Sequence, residues 1–106
     1  MPYTREKRIE IANTIISQLG GNKFKVMTGA KDIFALESGV SFKVPATMTK
    51  NRINYIRVWL NSMDLYDVEF WSYRGMSGRK VAEHNGIYDD MLQDIFTTET
   101  GLNTSL

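Results

Sequence analysis

Cysteine is absent from the 106 residues. Disulfides, thiolate nucleophiles and Cys-ligated zinc are therefore excluded. The single histidine, His84, cannot build a His-rich metal site from one chain. No apolar run approaches the roughly 18 residues that a membrane-spanning helix needs. The first residues, Met1-Pro2-Tyr3-Thr4-Arg5-Glu6-Lys7-Arg8, lack an apolar stretch, so no signal peptide is expected. Neither sign of charge dominates: 13 Lys+Arg stand against 12 Asp+Glu, a net +1. That argues against strong non-specific DNA binding, which rests on many phosphate contacts. Gly20-Gly21 and Gly29-Ala30-Lys31 lack the flanking pattern of a phosphate loop, and there is no nucleophile elbow. No cofactor and no metal are expected.

The composition is 42% hydrophobic and 11% aromatic, enough for a folded core. The length suits one domain over residues 1–106. Charge is unevenly spread. Residues 1–53 carry nine basic and four acidic groups, net +5, and residues 54–106 carry four and eight, net −4. Such asymmetry is the pattern of a charged partner or of a plain solvated surface.

Residues 5–19 read as an amphipathic helix, with Ile9, Ala12, Ile16 and Leu19 at helical spacing. Thr4 is the candidate N-cap, and Gly20-Gly21 ends the helix. Strands are expected at 23–27, 32–36, 40–44, 53–60 and 66–73. Glu37-Ser38-Gly39 reads as a hairpin loop, and Pro45 stops the ladder. Residues 46–52 form a basic loop, the best candidate for a mobile segment. Residues 75–78 read as a loop and 79–83 as a short edge strand. A second helix is expected over 87–99, with Asp89 and Asp90 in its first turn and Gly101 as its cap. The tail from Asn103 reads as loose. The fold class is α+β: a five-stranded antiparallel meander with an N-terminal and a C-terminal helix on one face.

Strand alternation then sorts the side chains. One face receives Phe24, Val26, Phe34, Leu36, Val40, Phe42, Val44, Ile56, Val58, Leu60, Tyr66, Val68 and Phe70, and should be the core face. The other receives Lys23, Lys25, Met27, Ile33, Ala35, Ser41, Lys43, Tyr55, Arg57, Trp59, Asp67, Glu69, Trp71 and Tyr73. With Leu60 opposite Tyr66, Arg57 meets Glu69 and Tyr55 meets Trp71, each pair worth about 0.2–1 kcal/mol.

Two tryptophans among charges need a cover, since each buries roughly 150–250 Å² when covered. The cover is either internal (the C-terminal helix, the 46–52 loop or a curl of the sheet) or an external partner. The candidate binding residues are Tyr55, Arg57, Trp59, Trp71 and Tyr73, with Lys23, Lys25 and Lys43 beside them. Trp, Tyr and Arg dominate protein-binding hot spots. Aromatics flanked by lysines also suit single-stranded nucleic acid, although Asp67 and Glu69 would repel phosphate. His84 beside Glu83, with Asp89 or Asp90 near, is the one acid–base candidate, and a turn or capping role is the simpler reading. Asp89, Asp90 and Asp94 suit helix capping better than Mg²⁺. Thr28-Gly29-Ala30-Lys31 reads as a tight turn with a remote phosphate-contacting role.

Three segments carry a resemblance. They are Gln18-Leu19-Gly20-Gly21-Asn22-Lys23-Phe24, Met27-Thr28-Gly29-Ala30-Lys31-Asp32, and Asn61-Ser62-Met63-Asp64 with Tyr66-Asp67-Val68-Glu69-Phe70. Together they resemble a family of small uncharacterised proteins encoded by phages, prophages and other mobile elements. The resemblance spans most of the chain. It implies a bacterial cytoplasmic setting and host-facing roles, such as inhibiting a defence nuclease or binding phage DNA intermediates. It carries no functional residues across. The resulting expectation is a non-enzymatic binding protein whose partner is a host or phage protein or a second copy of the chain. Single-stranded nucleic acid is the alternative partner, and no membrane is involved.

Overall fold

The computed structural model describes residues 3–104. Helix α1 spans Arg5–Leu19, and Thr4 caps it by accepting a hydrogen bond from the Lys7 backbone N–H. It buries Ile11, Ala12, Ile15, Ile16 and Leu19. Gly20, at φ 132, breaks the axis, and its N–H bonds back to Ile16 and Ser17.

The segment after this break corrects the sequence reading. Residues Gly21–Thr28 form a second helix, α2, and not a strand. Phe24 and Thr28, four apart, are its buried positions, whereas Val26 is 82% exposed. The Lys-Phe-Lys-Val alternation is too short to separate a two-residue period from a helical one. Packing of Phe24 decided it: the ring lies edge-on to Phe42 at 5.2 Å and to Phe96 at 5.3 Å. Gly29, at φ 71, is the αL cap of α2. The Thr28 hydroxyl donates to Phe24 O and accepts from Ala30 N, and Gly29 N bonds to Lys25 O. These groups are committed within the chain and are not free donors for a phosphate.

Five antiparallel strands follow in sequential order: β1 Lys31–Ala35, β2 Gly39–Lys43, β3 Tyr55–Leu60, β4 Tyr66–Arg74 and β5 Ser77–Ile87. In the centre the expected register is observed: Tyr55 faces Trp71, Arg57 faces Glu69 and Leu60 faces Tyr66. Val40, Phe42, Val44, Ile56, Val58, Tyr66, Val68 and Phe70 are buried on the helix-covered face. Strand β1 departs from the expectation. Asp32 sits at φ 51, and the register shifts between Lys31 and Phe34. This irregularity inverts the parity. Ile33 packs on the core, Ala35 pairs with Val40, and Phe34 pairs with Ser41 at 64% exposure.

The stretch expected as a loop and a short strand is one 11-residue strand, β5, joined to β4 by the Gly75-Met76 turn. Gly75, at φ 64, supplies the turn's left-handed residue. Ile87 closes β5, so the last helix starts later than expected. A 3₁₀ turn at Asp89–Met91 leads into α3, Leu92–Thr100, capped by Gly101 at φ 80. Leu92 and Phe96 face the core. The following residues are not loose as far as Thr104, since Leu102 and Thr104 are buried; residues 105 and 106 lie outside the described residues.

Segment 46–52 forms two 3₁₀ turns, Ala46–Met48 and Lys50–Arg52. The Thr49 hydroxyl donates to Ile53 O at 2.6 Å, and Lys50 Nζ donates to Thr98 O at the end of α3. Asn51 and Arg52 both occupy the left-handed region, at φ 55 and 56. Each such non-glycine residue costs about 1–3 kcal/mol that the surrounding structure must supply.

Candidate functional site

The sheet face turned away from the helices carries the two tryptophans. Strands β3 and β4 send Ile56, Val58, Val68 and Phe70 into the core, so Tyr55, Arg57, Trp59, Asp67, Glu69 and Trp71 point outward. Both indoles are half-buried. The last helix turns Leu92 and Phe96 to the core on the opposite face; Trp71 is covered by Tyr73 and held by Glu69, and Trp59 lies beside the Arg57 guanidinium.

Three cross-strand rows organise the surface. The first runs Gly39, Trp59, Asp67. A Cβ at Gly39 would lie 2.5 Å from Trp59 Cα, so glycine here permits the close approach of the two strands. The second runs Phe34, Ser41, Arg57, Glu69, Glu83. The third runs Lys31, Lys43, Tyr55, Trp71, Lys80. Tyr73 follows at the end of β4, stacked on Trp71 at 5.7 Å and edge-on to Tyr55 at 5.4 Å. Asn54 fixes that end, because its side chain both accepts from Tyr73 N and donates to Tyr73 O.

Glu69 is the electrostatic centre of the face. Its side chain is 13% exposed and lies 3.7 Å from both Arg57 and Lys80. It also accepts the Trp71 indole N–H at 3.0 Å. Two cations and a donor thus neutralise one half-buried carboxylate and orient Trp71. The Arg57 guanidinium lies 5.7 Å from the Trp59 ring centroid, within cation–π range. Arg57 Nε is buried with no hydrogen-bond partner among the described residues. Lys80 also donates to Glu83 at 3.1 Å, and that hydrogen bond holds its pKa above the ordinary lysine value. At the other end Asp67 accepts from Asn61 and from Gly86 N, tying the β3–β4 loop to β5.

The structure brings together Tyr55, Arg57, Trp59, Trp71, Tyr73 and Lys43. It does not bring Lys23 and Lys25, which project from α2 in the helical layer. Lys43 makes one ion pair, 3.7 Å from Asp32. His84 takes a different partner from those expected. Glu83 points to the outer face, Asp89 accepts from Gln18, and the His84 Nε2 lies 2.7 Å from Glu99 of α3. With its ring edge-on to Phe70, His84 is a strut between β5 and α3. Among the described residues no group of three or more His, Asp or Glu side chains converges as a metal cluster. None of the helices among the described residues is long and apolar enough to cross a membrane.

The sequence analysis did not single out Arg52 and Arg74. They line a cleft of about 260 Å³ with Ala46, Ser72 and Tyr73. A second cleft of about 350 Å³ lies between Lys43, Asn54, Tyr55, Tyr73 and Gly75. No signal in the sequence links position 52 to position 74; the sheet topology does. No known protein family, curated protein or solved structure matches the chain.

Proposed function

We propose that the chain is a non-enzymatic binding protein of phage or mobile-element origin. It engages a protein partner, a host defence component or a second copy of itself, through the outer sheet face. One observation carries the reading: Trp59 and Trp71, with Tyr55, Arg57 and Tyr73, form a contiguous aromatic and charged surface that no helix among the described residues covers. Half-buried indoles still have area to remove from water, and Trp, Tyr and Arg are the residues that carry interface energy. Glu69 and its cations pre-orient Trp71, which lowers the ordering cost of binding. The rival, an extended single-stranded nucleic acid, loses support because Lys23 and Lys25 lie elsewhere and Glu69 and Asp67 remain on the face.

The test is the pair Trp59→Ala and Trp71→Ala, combined in one chain. Its circular dichroism and cooperative melting should match the wild type, because the core lies on the other face. Light scattering over a concentration series should show any wild-type self-association disappear. Affinity capture from a bacterial lysate should yield a partner that the double variant loses. A variant that fails to fold, or one that captures the same partner equally well, overturns the proposal. A salt titration with single-stranded oligonucleotides separates the rival, which requires saturable binding that weakens steeply with salt.

A further inference from the structure

The charges of the outer face are ordered along its strands. The third row holds the cations Lys31, Lys43 and Lys80, whereas the acids Glu69, Glu83 and Asp67 lie in the second and first rows. Lys43 is partly balanced by Asp32 at 3.7 Å, and Arg57 by Glu69 beside it. The face is therefore basic toward one end of its strands and acidic toward the other. Phe34 adds an apolar side chain on the β1 side, 64% exposed. Both free edges of the sheet are interrupted. The register shifts in β1 between Lys31 and Phe34, and twice along β5, opposite Tyr66–Val68 and Phe70–Trp71. Such irregularities, with a lysine such as Lys80 on the edge, disfavour the addition of another strand. Association through the face is not hindered in this way.

We infer that the occupant of this face is a second copy of the chain, packed sheet to sheet about a twofold axis that crosses the strands between the second and third rows. This names the partner and rests on the reading of the face as a protein interface. Rotation about such an axis reverses the strand direction, so the basic row of each copy meets the acidic end of the other. Lys80 then lies over Glu83 of the second copy, and Glu83 over its Lys80. Tyr55 lies over its Arg57, a cation–π pairing. The Lys80 and Glu83 side chains remain 40% and 37% exposed, so each is able to reach across. A twofold along the strands would instead set the basic row on itself. Both sheets twist in the same sense about the crosswise axis, which keeps the faces in contact from β1 to β5. The contact is isologous and closes at two copies. Five strands about 4.8 Å apart, and the roughly 20 Å of β4 between Asp67 and Tyr73, give a plan area on the order of 500 Å². Side-chain relief raises that toward the roughly 800 Å² per partner of a stable interface.

The test is sedimentation equilibrium of the full chain from about 1 μM to about 1 mM. The mass should rise from that of one chain to that of two and no further. Phe34→Ser should weaken dimerisation at least about tenfold at unchanged melting temperature, because the ring is exposed in the single chain. Lys80→Glu and Glu83→Lys should each weaken it at least about tenfold, since each sets like charges against each other twice across the axis. Mixed in equal amounts, the two variants should dimerise again, because every crossing pair is then opposite in sign. The chain's own Lys80–Glu83 pair stays broken in both variants, so recovery cannot come from within one chain. A chain that remains monomeric throughout, a series of masses beyond two copies, or a mixture that does not recover overturns the inference. A monomer that still captures a lysate protein through Trp59 and Trp71 overturns it and keeps the protein-binding reading. A dimer and a capture that are both indifferent to those tryptophans overturn the two together.

Discussion

Truncating two residues of α2, Phe24 and Val26, separates its helical structure from the strand that its alternation imitates. Phe24 is fully buried and meets the edges of two other phenylalanines, Phe42 of β2 and Phe96 of α3. Phe24→Ala removes the ring from the point where α2, β2 and α3 converge. Such truncations cost about 3–5 kcal/mol, and each lost edge-to-face pair contributes about 0.5–1.5 kcal/mol of that. The expected loss lies in the upper half of the range, a large share of the roughly 5–15 kcal/mol that stabilises a domain. Val26 is 82% exposed on the same helix. Val26→Ala loses almost no buried area and gains helix propensity, a change of at most about 0.7 kcal/mol toward greater stability. Were 23–27 a strand with both residues inward, Val26→Ala would delete two buried carbons and cost roughly 2 kcal/mol. Urea unfolding at equal m-value reads both numbers. A Val26→Ala loss above about 1.5 kcal/mol, or equal losses at the two positions, would refute the helical packing of α2.

Two further outcomes follow from specific contacts. A Cβ on Gly78 would lie 2.4 Å from the Tyr73 ring, so Gly78→Ala should push that ring off its seat. The near-ultraviolet circular dichroism and Trp71 emission should change while stability falls by less than about 2 kcal/mol; an unaltered aromatic spectrum would contradict the placement of Tyr73. Burial pushes the Tyr66 phenol above its ordinary 10.0, with the Gln18 amide opposing and the Asp89 charge adding to the rise. A raised folded pKa means stability that is complete below the unfolded value and lost as pH climbs through the folded one. Urea midpoints of the wild type should therefore fall above about pH 10, and Tyr66→Phe should flatten that limb. An equally steep limb in the variant would assign the alkaline loss to other groups.

The central sheet was legible because several local signals agreed. Residues 55–60 and 66–71 alternate cleanly, a one-residue slip would bury Arg57 and Glu69 in the core, and their opposite charges reinforce the remaining register. The caps at Thr4 and Gly101 were equally readable, since each is a local demand of a helix end. Tyr55, Arg57, Trp59, Trp71 and Tyr73 fell on one face for the same reason.

Elsewhere the chain's own pattern was ambiguous and contacts distant in sequence decided. Four alternating residues at 23–26 fit either period until Phe24 found Phe42 and Phe96. The left-handed Asp32 reversed the faces of β1 and turned Phe34 outward, which no periodicity rule anticipates. The removal of Lys23 and Lys25 from the outer face, and the meeting of Arg52 with Arg74 beside Tyr73, are consequences of how turns and strands close in space. Alternation is a property of neighbouring residues and can be read along a line. The juxtaposition of a turn with a strand end 22 positions later exists only once the sheet has assembled.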